Sequence, residues 1–286
     1  MRKDDVGTQQ AASRRDLPRR HALRLAMAAL GTAVLGGTVH AAGIVTPRSY
    51  LPLLLLPEPT LTPSPMPNDA PILGLASGSY EQAVTWLRTY ADCSYRDEES
   101  LATIVGAYLD IGNRSGVDWF MALAQCFHET GNLTSFFAQR PQRNPAGIGV
   151  TGRTQRGTQD APPGPAWTWA PAGSQGNPAE WGADGGWREG WSFPTWQDHG
   201  IPAHIGRLLA YRFHDDDPAL TGDQRALIAF ALSYRSLPAN LRGVATTYTG
   251  LNGRWAVPGT TYGQGIIALA GRVRQGPQTP GPACPR

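Results

Sequence analysis

Apolar positions in the middle of the chain recur with the 3.6-residue period of an amphipathic α-helix. Asp97 and Asp118 stand where two of these periodic segments begin, as helix N-caps do, and Gly131 stands where one ends. The pattern predicts six helices, over residues 80–91, 98–111, 118–131, 198–213, 223–236 and 261–274. The expected fold class is therefore mainly α.

A stretch of about sixty residues, 133–192, separates the third helix from the fourth and shows no helical period. It is rich in glycine, proline and tryptophan, and an ordered insertion of that length in a helical domain is usually functional. Six of the nine tryptophans fall between residues 167 and 196. They either pin an irregular segment onto the helices or form a groove in which sugars stack on indole rings. For such a groove the candidates are Trp181, Trp187 and Trp196.

Composition and charge exclude several classes of protein. Lys3 is the single lysine of the chain, so the helical region holds neither a Schiff-base lysine nor a P-loop lysine. The net charge of +3 arises at the N-terminus, where residues 1–24 carry seven basic and three acidic side chains. The remainder is close to neutral and has no basic run, which argues against a nucleic-acid partner.

Residues 1–45 have the organisation of an export signal. Basic residues up to Arg24 precede an apolar segment, and Val39 and Ala41 occupy the −3 and −1 positions of a candidate cleavage site. If the signal is retained instead, residues 25–45 are long enough to anchor the chain in a membrane. Both outcomes predict an exported protein, extracellular or in the cell envelope.

The proline-rich residues 46–79 predict an extended linker, which leaves 80–275 as the folded domain and 276–286 as a flexible tail. Cys93 and Cys126 both fall in predicted helical territory. A bridge between them is one expectation for an oxidising compartment, and two buried free thiols are the alternative.

Three familiar motifs of enzymes are incomplete, absent or in the wrong context. Residues 147–152 spell the dinucleotide motif G-x-G-x-x-G, but no helix follows them. His128 and Glu129 begin a zinc-protease H-E-x-x-H in which Asn132 replaces the second histidine. The chain has no G-x-S-x-G elbow of a serine hydrolase. We expect neither a metal nor a cofactor.

The remaining candidate is Glu129, in the segment AQCFHETGNLTS at 124–135. A carboxylate in the last turn of a helix faces the negative end of the helix dipole, which raises its pKa. Phe127, Phe136 and Phe137 would desolvate it further. A glycosidase general acid needs these conditions, because it must hold a proton near neutral pH. On these grounds alone, an exposed glutamate without a catalytic role is the alternative.

The segment AQCFHETGNLTS, followed by NPAGIGVTG at 144–152, resembles the glucosaminidase domain of glycoside hydrolase family 73, the peptidoglycan-cleaving endo-β-N-acetylglucosaminidases. Residues 193–196 resemble the F-x-x-[YW] segment of that family, and 254–262 resemble its segment before the last helix. The resemblance covers about residues 80–275. It implies a lysozyme-like fold, in which a helical lobe and a small β-lobe enclose a sugar-binding cleft.

The resemblance also implies roles for single residues. Glu129 falls on the family's catalytic acid, and Tyr262 falls on an aromatic residue near that acid. Asn144 and Gly147 fall in the loop that lines the cleft and binds the glycan.

A second acid is expected in the β-lobe before the F-x-x-[YW] segment, which favours Glu180; its distance from the first would separate inverting from retaining chemistry. The other candidates for this carboxylate are Asp160, Asp184 and Glu189. If the N-acetyl group of the substrate is the nucleophile, Glu129 needs only a helper such as Tyr262.

The expected function is hydrolysis of β-1,4 bonds after N-acetylglucosamine in peptidoglycan or a related glycan, by a monomer. Two alternatives stay open. One is a lytic transglycosylase of the same fold, which would leave an anhydro-muramic end on its product. The other is a wall-binding module without activity.

Overall fold

The computed structural model describes residues 66–152, 154–156, 167–168 and 186–285. All of them belong to one unit of the chain, Pro59–Arg286. The described part is mainly α-helical, and the six predicted helices are confirmed in order and position. They are α1 Tyr80–Tyr90, α2 Glu98–Ser115, α3 Trp119–Thr130, α4 Ile201–Arg212, α5 Gly222–Tyr234 and α6 Tyr262–Gln275.

Local capping explains where α2 and α3 begin and end. The carboxylate of Asp97 accepts a hydrogen bond from the backbone N–H of Ser100 at 2.8 Å, and Asp118 does the same for two amides of α3. Gly131 closes α3 with a left-handed φ of 57°. The predicted caps are therefore confirmed, and they fix the end of α3 that carries the candidate acid.

Helices α3 and α4 form the centre of the core. Of the twelve residues of α3, only His128 and Glu129 are not buried. Arg212 is the only residue of α4 that is not buried. A Cβ atom at Gly206 of α4 would lie 2.0 Å from the carbonyl oxygen of Leu227, so glycine is what allows α4 and α5 to approach so closely. The core thus holds these helices rigidly.

Three short strands lie in the stretch between α3 and α4. They are β1 Thr154–Arg156, β2 Trp167–Thr168 and β3 Gly186–Glu189. β3 lies in the middle and pairs antiparallel with both neighbours, Gln155 opposite Trp187 and Trp167 opposite Glu189. The guanidinium of Arg188 lies 4.3 Å from the ring centroid of Phe136. This contact joins the sheet to the segment that follows α3.

The folded domain begins earlier than the predicted residue 80. Ala70 and Ile72 are buried, and the backbone of Ile72 bonds to Thr246 on one side and Asp118 on the other, both at 3.0 Å. The last part of the expected linker is therefore part of the fold. Residues 1–65, which include the expected signal, lie outside the described residues.

The expectation of a flexible C-terminal tail is also corrected. The hydroxyl of Tyr90 donates to the carbonyl oxygen of Thr279 at 3.0 Å, and Arg96 donates to that of Pro282 at 2.9 Å. Cys284 forms a disulfide with Cys93. Residues 276–285 thus lie along α1 and the turn that follows it.

The proposed bridge between Cys93 and Cys126 is wrong. Cys126 is a free, buried thiol on α3, while Cys93 pairs with Cys284, 191 residues away in sequence. Cys126 lies on the buried face of a central helix, whereas Cys93 lies in the turn after α1, past which the C-terminal segment runs.

In the described part of the chain, no helix combines the length and the apolar character that crossing a membrane requires.

Candidate active site

Glu129 lies in the last turn of α3 and is half-buried. The rest of the helix is anchored in the core, so the backbone that carries this side chain is fixed. A Cβ atom at Gly147 would lie 3.6 Å from its Oε2 atom. The structure therefore brings two of the predicted site residues, Glu129 and Gly147, into direct neighbourhood.

A continuous chain of hydrogen bonds runs from the core to this carboxyl group. Its members come from four helices, and their side chains are buried up to Glu129 itself. Tyr262 of α6 donates its hydroxyl proton to Glu129 Oε1. Gln125 Nε2 donates to the Tyr262 oxygen at 2.7 Å, and Gln125 Oε1 bonds to His204 Nε2 at 3.1 Å. Tyr108 Oη completes the chain, 2.8 Å from His204 Nδ1.

The donors in this chain all point towards Glu129. The amide oxygen of Gln125 carries no proton, so His204 Nε2 must be the donor of that bond. A neutral imidazole then has a bare Nδ1, which accepts from the hydroxyl of Tyr108. Because Gln125 donates to the oxygen of Tyr262, the phenolic proton is left for Glu129. We refer to Tyr108, His204, Gln125 and Tyr262 as the donor chain.

Burial sets the protonation states that this direction requires. Burial lowers the pKa of His204 to about 3, so the ring is neutral. Burial raises the pKa of Tyr262 well above its ordinary value, so its proton stays in place. Burial also raises the pKa of Glu129, and hydrogen bonds from Tyr262 and Trp255 offset part of that rise. The pKa of Glu129 therefore lies above its ordinary value, which is the direction that a general acid requires.

Glu129 opens onto a cavity of about 690 Å³. That volume is in the range of small-ligand sites. The residues that line it and matter for its chemistry are Glu129, Gly147, Arg207, Tyr211, Arg235 and Trp255. The indole of Trp255 packs on the rings of His204 and Tyr211, with centroid distances of 5.7 and 5.4 Å. It presents an aromatic wall beside the acid.

The loop at 144–152 lines the cavity, but Asn144 has another role than the predicted contact with a glycan. Its Nδ2 donates to the carbonyl oxygens of Ile148 and Trp191, at 2.9 and 3.0 Å. Its Oδ1 accepts from the amides of Ala146 and Ile148. All four hydrogen bonds that an asparagine can make are thus used inside the protein. The side chain is fully buried, so it holds the loop in shape beside Glu129.

Of the three tryptophans predicted to bind sugar, the structure describes the side chain of Trp196 alone. Trp196 is 4% exposed and packs edge-on against Tyr95 in the core, at 5.7 Å between ring centroids. It does not line the cavity at Glu129, so its predicted binding role is wrong. It pins the turn before α4 instead. Trp187 lies on β3, but its side chain, like the whole of Trp181, lies outside the described residues.

The prediction of a second catalytic carboxylate stays untested. Glu180, Asp160 and Asp184 lie outside the described residues, and only the backbone of Glu189 on β3 is described. Among the described residues, Glu129 is the only acid that lines the cavity. In the same part of the chain, no group of three or more histidine, cysteine, aspartate and glutamate side chains is arranged to hold a metal ion.

The sequence did not identify Gln125, His204 and Tyr108, which continue the hydrogen-bond chain from Tyr262 into the core. Gln125 and Glu129 are four residues apart on one helix, which places them on one face, and this spacing could have identified Gln125. His204 and Tyr108 lie on separate helices and carry no such signal. Arg207 has the appearance of an ordinary helix position in the sequence. Trp255 lies in the segment 254–262 that resembles the family's last motif, but the resemblance gave it no role in the site.

Neither a family model, nor a curated protein, nor a solved structure matches this chain.

Proposed function

We propose that the chain is a glycoside hydrolase that cleaves β-1,4 bonds after N-acetylglucosamine in peptidoglycan or a related glycan. Glu129 is its general acid. The observation that carries the proposal is a half-buried glutamic acid, with its pKa raised by burial, at the wall of a cavity and at the end of a chain of donors. The motif resemblance at 124–135 and 144–152 points to the same class.

The hydrogen bond from Tyr262 decides which oxygen acts. Oε1 accepts the phenolic proton, so the acidic proton belongs on Oε2, the atom next to Gly147. From there it passes to the glycosidic oxygen as the bond from that oxygen to the anomeric carbon breaks. Glu129 is then a carboxylate, and the donor from Tyr262 stabilises the new charge.

The number of acids in the described lining of the cavity bears on which group is the nucleophile. Because Glu129 is the only acid in the described lining, attack by the substrate's own N-acetyl oxygen is consistent with the described site. That attack on the anomeric carbon displaces the leaving sugar and closes a five-membered oxazolinium ion. Water then attacks the same carbon and gives its proton to Glu129, while the bond from the anomeric carbon to the N-acetyl oxygen breaks. Glu180 stays the candidate for a conventional two-carboxylate mechanism.

We propose a lysozyme-like arrangement for the domain as a whole. The helices supply the acid and the donor chain. The three-stranded sheet contacts Phe136, in the segment that follows α3, through Arg188.

Export is part of the proposal as well. The disulfide between Cys93 and Cys284 supports it, since such bonds persist mainly in oxidising compartments.

A single acid is also what a lytic transglycosylase would use, so this activity is the second candidate. Mass spectrometry of the products from purified peptidoglycan separates the two. We expect new reducing ends on N-acetylglucosamine. Anhydro-muramic ends would replace the hydrolase with the transglycosylase, and glycan binding without cleavage would leave a wall-binding module.

A further inference from the structure

Arg207 of α4 is a buried arginine at the wall of the cavity. It is 9% exposed, and it lines the same space as Glu129. Burial lowers its pKa, and the nearby Arg235 acts in the same direction. A guanidinium stays charged in proteins even so. Keeping a charge this far from bulk water is costly unless an anion or strong acceptor compensates it.

The described residues supply only uncharged partners for Arg207. Its Nη1 donates to the carbonyl oxygen of Arg235 at 3.1 Å. Its Cζ lies 5.8 Å from the ring centroid of Tyr211 and 5.9 Å from that of Trp255. None of its nitrogens is both sealed from solvent and unpaired. Each remaining nitrogen is therefore either paired or reached by solvent, and the side chain lines the cavity.

The described lining of the cavity is rich in positive charge. Arg235 and Arg254 line it together with Arg207, and both are exposed. No ion pair within the described part of the chain engages any of the three. Glu129, the one acid of this lining, is held towards its neutral form. An anionic ligand group would meet several donors here and no described carboxylate.

Trp255 places this charge close to the reaction. Its indole lines the cavity together with Glu129, has a lowering effect on the pKa of that acid, and lies within cation–π distance of Arg207. A ligand group held by Arg207 therefore lies in the same cavity as the acid, with Trp255 in the shared wall. This matches a substituent carried by a sugar at or next to the cleaved bond.

We infer that Arg207 forms the centre of a subsite for a carboxylate carried by the glycan. The inference rests on the proposed function and adds the substrate class, an acidic glycan. In a peptidoglycan strand the carboxylate has two sources, the lactyl ether of the sugar itself or the stem peptide. The planar fork of arginine suits bidentate contact with either.

The test measures binding in a Glu129→Gln background, which removes turnover. Soluble strands are prepared in two forms, with stem peptides intact or enzymatically removed, and each is compared with the same strand after its carboxylates are converted to methylamides. We expect conversion to weaken binding to the Arg207-containing protein by roughly tenfold to a hundredfold, the range for a hydrogen-bonded charge. In the Arg207→Gln protein, conversion should change the affinity by less than about twofold.

Arg212→Gln is the matched control, because it removes an arginine from the same helix that does not line the cavity. It should keep the full sensitivity to conversion. If the peptide-free strand shows the sensitivity, the lactyl group is the ligand; if only the intact strand shows it, the stem peptide is. Equal binding of native and converted strands by the Arg207-containing protein overturns the inference, even if Arg207→Gln fails to fold.

The two proposals fail separately. Cleavage of strands by the wild-type protein reports on the hydrolase alone. A protein that distinguishes carboxylates through Arg207 but cleaves nothing would keep the subsite and lose the proposed function. A protein that cleaves both forms of the strand equally well would keep the function and lose the subsite.

Discussion

Gly147 stands directly against the acid, and backbone geometry explains why glycine occupies this position. Its φ is +59°, in the left-handed region that costs other residues about 1–2 kcal/mol. A side chain there would begin 3.6 Å from Glu129 Oε2. Glycine thus serves two purposes at once, because it allows the turn of the loop and keeps the space next to Oε2 free of a side chain.

Gly147→Ala separates these two purposes when it is compared with Gly152→Ala. Gly152 also has a positive φ, +79°, but nothing lies within 4 Å of its Cβ position. We expect both variants to lose about 1–2 kcal/mol in urea unfolding. Only Gly147→Ala should also lose at least about tenfold in kcat/KM, since its methyl group occupies the approach to Oε2. An equal catalytic loss in the two variants would show that loop strain alone matters.

The residues that could be predicted are those with a local signal. The place of Glu129 in the last turn of α3 follows from local helix signals, whereas the proposed roles of Glu129 and Gly147 rest on the resemblance of their motifs. Trp196 was misread, because a tryptophan in a core and one in a groove look alike in a sequence. Arg207 was missed, because burial beside a cavity depends on distant parts of the chain.

At the scale of elements, the site is a product of helix packing. Each of the four members of the donor chain comes from a different helix, and Gln125 shares α3 with Glu129. The spacing of four residues puts Gln125 directly behind the acid. His204, in the first turn of α4, is fully buried. Relative movement of α2, α4 or α6 would therefore break the chain and release Tyr262.

His204 makes folding sensitive to acid. Its pKa is about 3 in the folded protein and about 6.5 when unfolded. The unfolded chain therefore takes up a proton below pH 6.5 that the folded chain refuses. The contribution of the neutral His204 to the free energy of unfolding is fully present above that pH. It is lost as the pH falls towards 3, at up to about 1.4 kcal/mol per pH unit.

We expect His204→Gln to flatten this dependence, because glutamine does not titrate. Urea unfolding between pH 4 and 7 measures it, with His199→Gln, at a half-exposed histidine, as the control. Tyr108, Cys126 and Tyr262 face the ring or its neighbours, and burial raises the pKa of each, so they keep their protons in this window. Wild type and His204→Gln with parallel slopes would contradict the assigned state of the ring.

Helices could be predicted and strands could not, for a physical reason. Helix signals are local: a cap such as Asp118 and a repeat of apolar residues suffice. Strands β1 to β3 have only two to four residues each, and β1 pairs with a strand about thirty residues away. No periodic pattern forms in so few residues.

At the scale of the whole molecule, both ends of the described chain are fastened to the helical core. The segment at 69–77 bonds to α3 and to residues near 247, and its Ser77 donates to the N-cap Asp118. The C-terminal segment is held by the disulfide from Cys284 to Cys93. Proline-rich composition suggested a linker and a tail, but composition does not record hydrogen bonds between distant segments.

Cys284→Ser should lower the free energy of unfolding by about 2–5 kcal/mol, because the bridge closes a loop of most of the domain and restricts the unfolded chain. Cys126→Ala is the control that leaves the bridge intact. In the native wild-type protein no thiol should react with iodoacetamide, since Cys126 is buried and burial raises its pKa to about 12. An unchanged unfolding midpoint in Cys284→Ser, or ready alkylation of the native protein, would contradict this arrangement.

The most direct test of the account is kcat/KM for Glu129→Gln on soluble peptidoglycan strands. Glutamine keeps the shape and can accept from Tyr262, but it has no acidic proton. Since burial raises the pKa of Glu129, wild type loses stability as pH rises through that pKa, and the variant does not. We expect a loss of about 10²–10⁴-fold in kcat/KM with a melting temperature equal to or above that of wild type. A folded Glu129→Gln protein with activity within tenfold of wild type would contradict the account.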